Sequence, residues 1–509
     1  MPTSFLRGAL ALALSALLSS NTFAADKAAC QYVQIGQLPL RYLGEWFHPA
    51  VDGFINGKPA PMMVDTGSNK TWLTNQLAER LDLRQRATGN IVKGVGGETR
   101  LYSARVDDFQ VGPTHTGKRY FEVIGETGMT PEFDALVGAD FLFQADVEIS
   151  LAEKAVRFFR PTNCSGDSYL AYWGDAVEVP FTGTFFESRN PTFTVELNGV
   201  KLNAIIDSGA SRSFVFIGGA RKAGVNTDSA GVVKVPGASG IGSETLAQWR
   251  TVFKTLSIGG EVIRDAELNI SADPNTGRQD ADLLLGVDFL RSHRVLFAMD
   301  QRRLYISYLG GDIFSRDSVA IEPWLQKEAD QGNPNAQYAL ATKYLAGSGA
   351  AHDAAAAAVW MDKAAHQGHP RAAYQVGTWM LHSGKSAESA ALFRNVLSKH
   401  PDEHRAALFL FLAQLQGGDS AGAARDLAAH FADDKQRNWP APVADFYLGR
   451  IDAAQLVALA GKKQANTRFF TCDAKLLVSE LAGAQGDKDK AKTLADAWRA
   501  ECGRPAPNI

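Results

Sequence analysis

The sequence predicts two tandem all-β lobes followed by an all-α domain of stacked helical hairpins. Three observations carry this prediction. Matched sequence blocks recur in the same order within the first 310 residues. The chain turns from Gly-rich, β-patterned sequence to Ala-rich sequence between about residues 310 and 325. Beyond that point a short motif returns after 36 residues. The expected divisions are 1–24 as a cleaved export signal, 25–165 and 166–312 as the two lobes, and 325–509 as the helical domain.

The length of 509 residues predicts several domains, and 45% hydrophobic residues with 21% charged ones can supply each with a core. A formal net charge of −3 argues against nucleic acid as a partner. At the N-terminus, Met1 to Arg7 carry one positive charge and Gly8 to Leu18 form an apolar stretch. Thr22-Phe23-Ala24 then places small residues where a signal peptide is cut. About eleven apolar residues cannot span a bilayer, which needs roughly twenty. The expectation is an exported protein, periplasmic or secreted, with no membrane span. Its four cysteines, Cys30, Cys164, Cys472 and Cys502, suggest two disulfides in an oxidising compartment. Their positions favour Cys30–Cys164 and Cys472–Cys502, with buried free thiols as the alternative.

The β part is duplicated. In one copy the turn Asn56-Gly57 precedes the apolar strand Met62-Met63-Val64 and then Asp65. In the other, Asn198-Gly199 precedes Ala204-Ile205-Ile206 and then Asp207, at the same spacing of nine residues from Asn to Asp. Asn-Gly favours the left-handed angles of a tight hairpin turn. Further on, Gly94-Val95-Gly96-Gly97 is matched by Gly240-Ile241-Gly242-Ser243, and Leu136-Val137-Gly138 by Leu284-Leu285-Gly286. The offsets between copies are 142, 146 and 148 residues, a drift too small for chance. Each copy closes in a β-rich stretch, Val147 to Phe159 and Val295 to Tyr308, and Gly310 to Ala320 reads as a linker.

In the helical part, Gln331-Gly332-Asn333-Pro334 recurs as Gln367-Gly368-His369-Pro370, and Ala336 and Tyr338 recur as Ala372 and Tyr374. A period near 36 residues predicts stacked helical hairpins and resembles tetratricopeptide and Sel-type repeats. A looser unit begins near His400-Pro401. A last hairpin from Arg468 to Glu501, turning near Gly486-Asp487, brings Cys472 and Cys502 to one end. Trp360 and Trp379 read as core residues. His366, His369 and His382 read as surface or packing residues.

The chemistry lies in the two triplets Asp65-Thr66-Gly67 and Asp207-Ser208-Gly209, each ending an apolar strand. Two carboxylates a few ångströms apart can act on one water as general base and general acid, because like charges that close do not both ionise. Thr66 and Ser208 are small enough to hydrogen-bond across to the opposite loop. Gly67 and Gly209 let backbone N–H groups turn toward the carboxylate. The ten histidines show no metal-ligand spacing, and no phosphate loop or Gly-x-Ser-x-Gly elbow appears. Neither a metal nor a cofactor is expected.

Residues 31–310 resemble two tandem retropepsin-like lobes, of the family that includes retroviral proteases and the fused two-lobe pepsins. Val64-Asp65-Thr66-Gly67-Ser68 followed by Trp72 is similar to the first catalytic loop of that family. Ile206-Asp207-Ser208-Gly209-Ala210 followed by Phe214 is similar to the second. The resemblance implies that Asp65 and Asp207 are catalytic and that the apolar-apolar-Gly blocks pack beneath their loops. It also implies that the Gly-rich blocks, Gly94, Val95, Gly96, Gly97 and Gly240, Ile241, Gly242, Ser243, are the tips of two flaps over a bound peptide. The lobes are longer than a retroviral protease subunit, with Gly112 to Thr130 expected as an inserted loop. The function implied is an exported aspartic endopeptidase, acting as a monomer on peptide or protein substrates, with a partner or substrate held by the helical repeats. The alternatives are a catalytically silent peptide-binding scaffold, and an enzyme in which each lobe pairs with the same lobe of another chain.

Overall fold

A computed structural model describes residues 30–125, 132–183, 190–242, 244–272, 281–314, 321–347, 351–432, 439–461 and 467–503. The expected export signal and Ser243 lie outside the described residues.

Each lobe is built on a hairpin that delivers an aspartate. His48–Ile55 turns at Asn56 and Gly57, with φ of 51° and 73°, into Lys58–Val64. Phe193–Leu197 turns at Asn198 and Gly199, with φ of 51° and 79°, into Val200–Ile206. Positive φ at both turn residues is the geometry that Asn-Gly adopts with little strain. The second strand of each hairpin lies parallel to the apolar block of its own copy, Val64 opposite Val137 and Ile206 opposite Leu285. That block pairs antiparallel with the strand that follows the aspartate, Trp72–Thr74 in one lobe and Phe214–Phe216 in the other. The strand interiors are buried on both faces, which explains their continuous apolar runs.

The ends of the two copies form one sheet shared between the lobes. Its order is Gln31–Pro39, Ala155–Thr162, Asp146–Ser150, His293–Ala298, Arg303–Tyr308, Val177–Pro180. The lobes join where Val147 pairs with Phe297 and Ile149 with Val295, all four buried. Glu148 is also buried in this sheet. Its carboxylate accepts from Arg157 at 2.5 Å and from the Tyr172 hydroxyl at 2.6 Å, so the charge is paired where water is excluded. The Cys30–Cys164 disulfide ties down the outer edge strand.

From Pro323 onward the described residues are helical. The repeated Gln-Gly-Asn/His-Pro motif is a helix start. Gly332 and Gly368 adopt φ of 90° and 85°, Asn333 and His369 cap the next helix with their side chains, and proline enters the first turn. The resulting helices are Pro334–Ala346 and Pro370–His382. The chain closes with the hairpin Thr467–Ala484 and Lys488–Cys502, locked by Cys472–Cys502. That bridge spans 30 residues, so the loop entropy it removes from the unfolded chain predicts a loss of about 3–4 kcal/mol in Cys472→Ser. Thermal unfolding of the reduced-cysteine variant reads this directly. Among the described residues no helix is long and apolar enough to cross a membrane.

The helical domain holds the first lobe at one turn. Phe47 inserts among Leu325, Ala329, Ala336 and Leu340 and meets Trp324 edge-on, at 5.1 Å between ring centroids. Beside it, Glu45 pairs with Arg371 at 2.9 Å. Lys154 pairs with the buried Glu328 at 2.6 Å, and the Arg291 guanidinium lies 3.7 Å over the Trp324 ring.

Three expectations change. The segment Gly112 to Thr130 is not simply an inserted loop. It contains the strands Thr114–His115 and Arg119–Ile124, and the latter runs parallel to Trp72–Thr74. Residues 126–131 lie outside the described residues. The start of the expected linker is packed, since Ile313 and Phe314 cover the lobe core and the Ser292 hydroxyl donates to the Asp312 carbonyl at 2.6 Å. Trp379 is not core. It is 54% exposed, with the Lys385 ammonium 5.4 Å over its ring, because its helix packs through the opposite face, where Ala373, Gly377 and Leu381 are buried.

Candidate active site

Backbone pairing places the two aspartates. The Asp65 N–H donates to the Val137 carbonyl at 3.0 Å, and the Asp207 N–H to the Leu285 carbonyl at 2.9 Å. Each aspartate therefore sits where a buried strand ends against its apolar block. The glycine of that block lies beneath the loop. A Cβ on Gly138 would fall 2.3 Å from the Lys70 carbonyl oxygen, and one on Gly286 would fall 2.7 Å from the Ala210 carbonyl oxygen. The next residue of each block bonds the loop as well, Ala139 N–H to Ser68 and Val287 N–H to Ala210, both at 2.8 Å.

The two loops grip one another reciprocally. The Thr66 N–H donates to Ser208 Oγ at 3.0 Å, and the Ser208 N–H donates to Thr66 Oγ1 at 3.0 Å. Each hydroxyl passes its own proton onward, Thr66 to the Ile206 carbonyl at 2.8 Å and Ser208 to the Val64 carbonyl at 2.7 Å. Both side chains are fully buried, so these four bonds have no competing water. Ser208→Ala would leave the Thr66 N–H and the Val64 carbonyl unsatisfied in the interior. Its expected destabilisation is about 2–4 kcal/mol by denaturant unfolding, against about 1 kcal/mol for a hydroxyl removed at an exposed site.

The grip brings the carboxylates to the centre. Asp65 Oδ1 accepts from the Gly67 N–H at 2.8 Å and the Ser68 N–H at 3.0 Å, and Asp207 Oδ1 accepts from the Gly209 N–H at 2.9 Å. Each carboxylate also packs on the glycine of the opposite loop. A Cβ on Gly67 would lie 2.1 Å from Asp207 Cγ, and one on Gly209 would lie 2.5 Å from Asp65 Cγ. Glycine is required there for space. The loops differ beyond this point, since the Ser68 hydroxyl donates to the Lys70 carbonyl at 2.8 Å, a bond that Ala210 cannot make.

The Gly-rich blocks meet over the loops. Gly94 and Gly97 end the hairpin strands Gln85–Gly94 and Gly97–Val106. The second block lies between Val233–Ala238 and Leu246–Ile258. The tips bond to each other, the Gly96 N–H to the Ile241 carbonyl at 2.8 Å and the Glu244 N–H to the Gly96 carbonyl at 2.7 Å. Contact is close enough that a Cβ on Gly242, whose φ is 100°, would fall 2.1 Å from the Gly96 carbonyl oxygen. Val95 lies against Gly240, and Ile241 packs against Trp72, Leu101 and Ile124 of the first lobe. Hairpins that meet through their tips can separate to admit an extended chain.

Sequence reasoning passed over several residues that the structure brings to the loops. Thr71 donates to Asp140 at 2.7 Å and Ser213 donates to Asp288 at 2.6 Å, while the same hydroxyls accept the Gly138 and Gly286 N–H groups at 3.2 and 2.8 Å. Burial pushes the Asp288 carboxyl upward, while the Ser213 bonds pull it down. Their signal was available, since Thr71 and Ser213 each follow the aspartate by six residues. The Asn190 amide donates to the Gly67 carbonyl at 2.6 Å from the opposite lobe. Burial pushes the His48 imidazole down to about 4, against the opposing pull of the Asp207 charge.

Two family models match the chain. Residues 51–141 match an aspartyl protease family, and residues 193–292 match a gag-polyprotein aspartyl protease family. The first span contains Asp65 and the second Asp207. No curated protein matches the chain at a significant level. The crystal structure of an aspartic proteinase from Irpex lacteus is similar at 14% identity and a TM-score of 0.35, over 55% of this chain and 97% of that one. That structural likeness is too low to carry any argument. The two family matches, one to each lobe, show that the chain carries aspartyl-protease-like domains.

Proposed function

We propose that the chain is an exported aspartic endopeptidase whose single active site lies between residues 25–165 and 166–312. The observation that carries this reading is the reciprocal Thr66–Ser208 grip, which seats each carboxylate against the other loop's glycine. A water held between Asp65 and Asp207 would lose a proton to one carboxylate as its oxygen attacks the peptide carbonyl. The other carboxyl would donate its proton to the carbonyl oxygen. Return of a proton to the amide nitrogen then breaks the C–N bond. Gly94, Val95, Gly96 and Gly97, with Gly240, Ile241 and Gly242, would clamp an extended peptide by strand pairing.

Export accords with the two disulfides, which persist in oxidising compartments. The helical domain, residues 325–509, would recruit a protein partner or substrate. The reading is tested by incubating the purified mature chain with a denatured protein across pH 3–8. Internal cleavage, suppressed by a statine-type inhibitor that places a hydroxyl between the carboxylates, is expected. An intact substrate throughout that range would overturn it.

A further inference from the structure

The chain departs from its own duplication at a position just beyond the second apolar-Gly block. Asp140-Phe141-Leu142 and Asp288-Phe289-Leu290 match, but Phe143 follows the first and Arg291 the second. Phe143 turns inward and packs on Phe297, at 4.9 Å between ring centroids. Arg291 instead reaches the helical domain. Its guanidinium lies 3.7 Å over the Trp324 ring and 5.6 Å over the Tyr42 ring. Its Nε atom is buried and makes no hydrogen bond among the described residues, and the two aromatic faces offset the charge where water is scarce.

Trp324 belongs to neither lobe. It stands in the first turn of the helix Pro323–Asp330, the first described element after the lobes. Its ring meets two rings of the first lobe, Phe47 edge-on at 5.1 Å and Tyr42 at 6.0 Å between centroids. The second lobe's Arg291 lies over the same ring. One tryptophan of the helical domain therefore touches both lobes. Its helix is tied to the first lobe again at Lys154, which reaches Glu328 at 2.6 Å and the Gln331 side chain at 3.2 Å.

Each anchor leads to a catalytic loop. The Arg291 N–H donates to the Val287 carbonyl at 2.9 Å, and the Val287 N–H donates to Ala210, in the loop of Asp207, at 2.8 Å. Phe47 is followed by the strand His48–Ile55, in which Ala50 pairs with Met63, two residues before Asp65. The lobes themselves join at the shared sheet and at the Thr66–Ser208 grip. A third junction at Trp324 resists a pivot of either lobe about the shared sheet.

We propose that Trp324 and Arg291 are positioning residues that staple the second lobe to the first, so that the start of the helical domain is part of the peptidase itself. This rests on the peptidase reading of the two aspartates and goes beyond the recruiting role given to the helical domain.

The test uses the full chain with Trp324→Ala, Trp324→Phe, Arg291→Gln and the double variant Trp324→Ala/Arg291→Gln. Trp324→Ala is expected to lower kcat about 10-fold or more while KM stays within about threefold, since the staple sets how the two lobes' reacting groups meet and leaves each lobe's walls intact. Trp324→Phe keeps a ring face for Arg291, and its kcat is expected within about threefold of wild type. Arg291→Gln leaves the packing of Phe47 on Trp324 in place and should be as slow as Trp324→Ala. It carries the same test if Trp324→Ala does not fold. The double variant should be no slower than the slower single one, because both residues act at one junction. Wild-type kcat in either single variant overturns the proposal, and so does a double variant whose loss is the product of the two single losses. A readout independent of cleavage is hydrogen exchange at the Thr66 and Ser208 amides, which bond across the two loops. Both are expected to exchange about tenfold faster in Arg291→Gln. Unchanged protection at both would overturn the staple even if the wild-type chain cleaved nothing. Faster exchange beside a wild-type chain that cleaves nothing would count against the peptidase reading alone.

Discussion

Asp65→Asn is expected to lower kcat/KM about 10³-fold or more, and Asp207→Asn to do the same. Asparagine keeps the shape and one acceptor oxygen, so the Gly67 and Ser68 N–H bonds to position 65 and the Gly209 N–H bond to position 207 can persist. What is lost is the capacity to take or give a proton. On the proposed mechanism the two carboxyls act on one water, so removing either should disable the pair, and the double variant should be no slower than either single one. Melting temperatures should stay within a few degrees of wild type, since no buried donor is orphaned. Steady-state kinetics on one peptide, with thermal melts as control, read both outcomes. Full activity in either single variant would mean that the two loops do not form one site.

Gly67→Ala should abolish cleavage to the same floor by geometry alone. The added methyl would lie 2.1 Å from Asp207 Cγ and 2.3 Å from each carboxylate oxygen. Two heavy atoms need well over 3 Å, so either the Asp207 carboxylate swings out of its place or the loops part and the Thr66–Ser208 grip stretches with them. The strain is expected to reduce stability by about 1–3 kcal/mol, while the displacement removes the shared water site. Gly209→Ala should behave alike, because its methyl would meet Asp65 Cγ at 2.5 Å. Gly166→Ala is the control. Nothing lies within 4 Å of its added methyl and its φ is not left-handed, so activity and melting temperature should not change. Comparable kcat in Gly67→Ala and Gly166→Ala would contradict the described packing of the dyad.

The parts legible in the sequence are those fixed by local chemistry and by the repeat. Asn56-Gly57 and Asn198-Gly199 announce their turns because few other residue pairs adopt those angles readily. The triplets, the apolar-Gly blocks and the flap glycines each occur twice, and comparing copies separates them from chance. The small size of Thr66 and Ser208 was legible, as was their reach across to the opposite loop. The shared sheet was not. Val147 and Phe297 meet across 150 residues of sequence, and alternation along each strand says nothing about which edge it will join. Asn190 escaped for a related reason. Its bond to Gly67 crosses between lobes, and a lone polar residue before a proline looks like any turn. Trp379 misled because a tryptophan at a helical position reads as core, whereas the helix buries its small face instead. The helical motif was clearer, since glycine, cap and proline occupy successive positions with separate reasons for each.

The central claim is that the two loops of one chain make one site. The most direct measurement compares cleavage of a single peptide by wild type, by Asp65→Asn, by Asp207→Asn and by an equimolar mixture of the two variants. Intramolecular pairing predicts turnover by wild type and none above background by either variant or by their mixture. Activity restored in the mixture would contradict it, because only a site assembled from two chains could reunite the intact Asp207 of one variant with the intact Asp65 of the other.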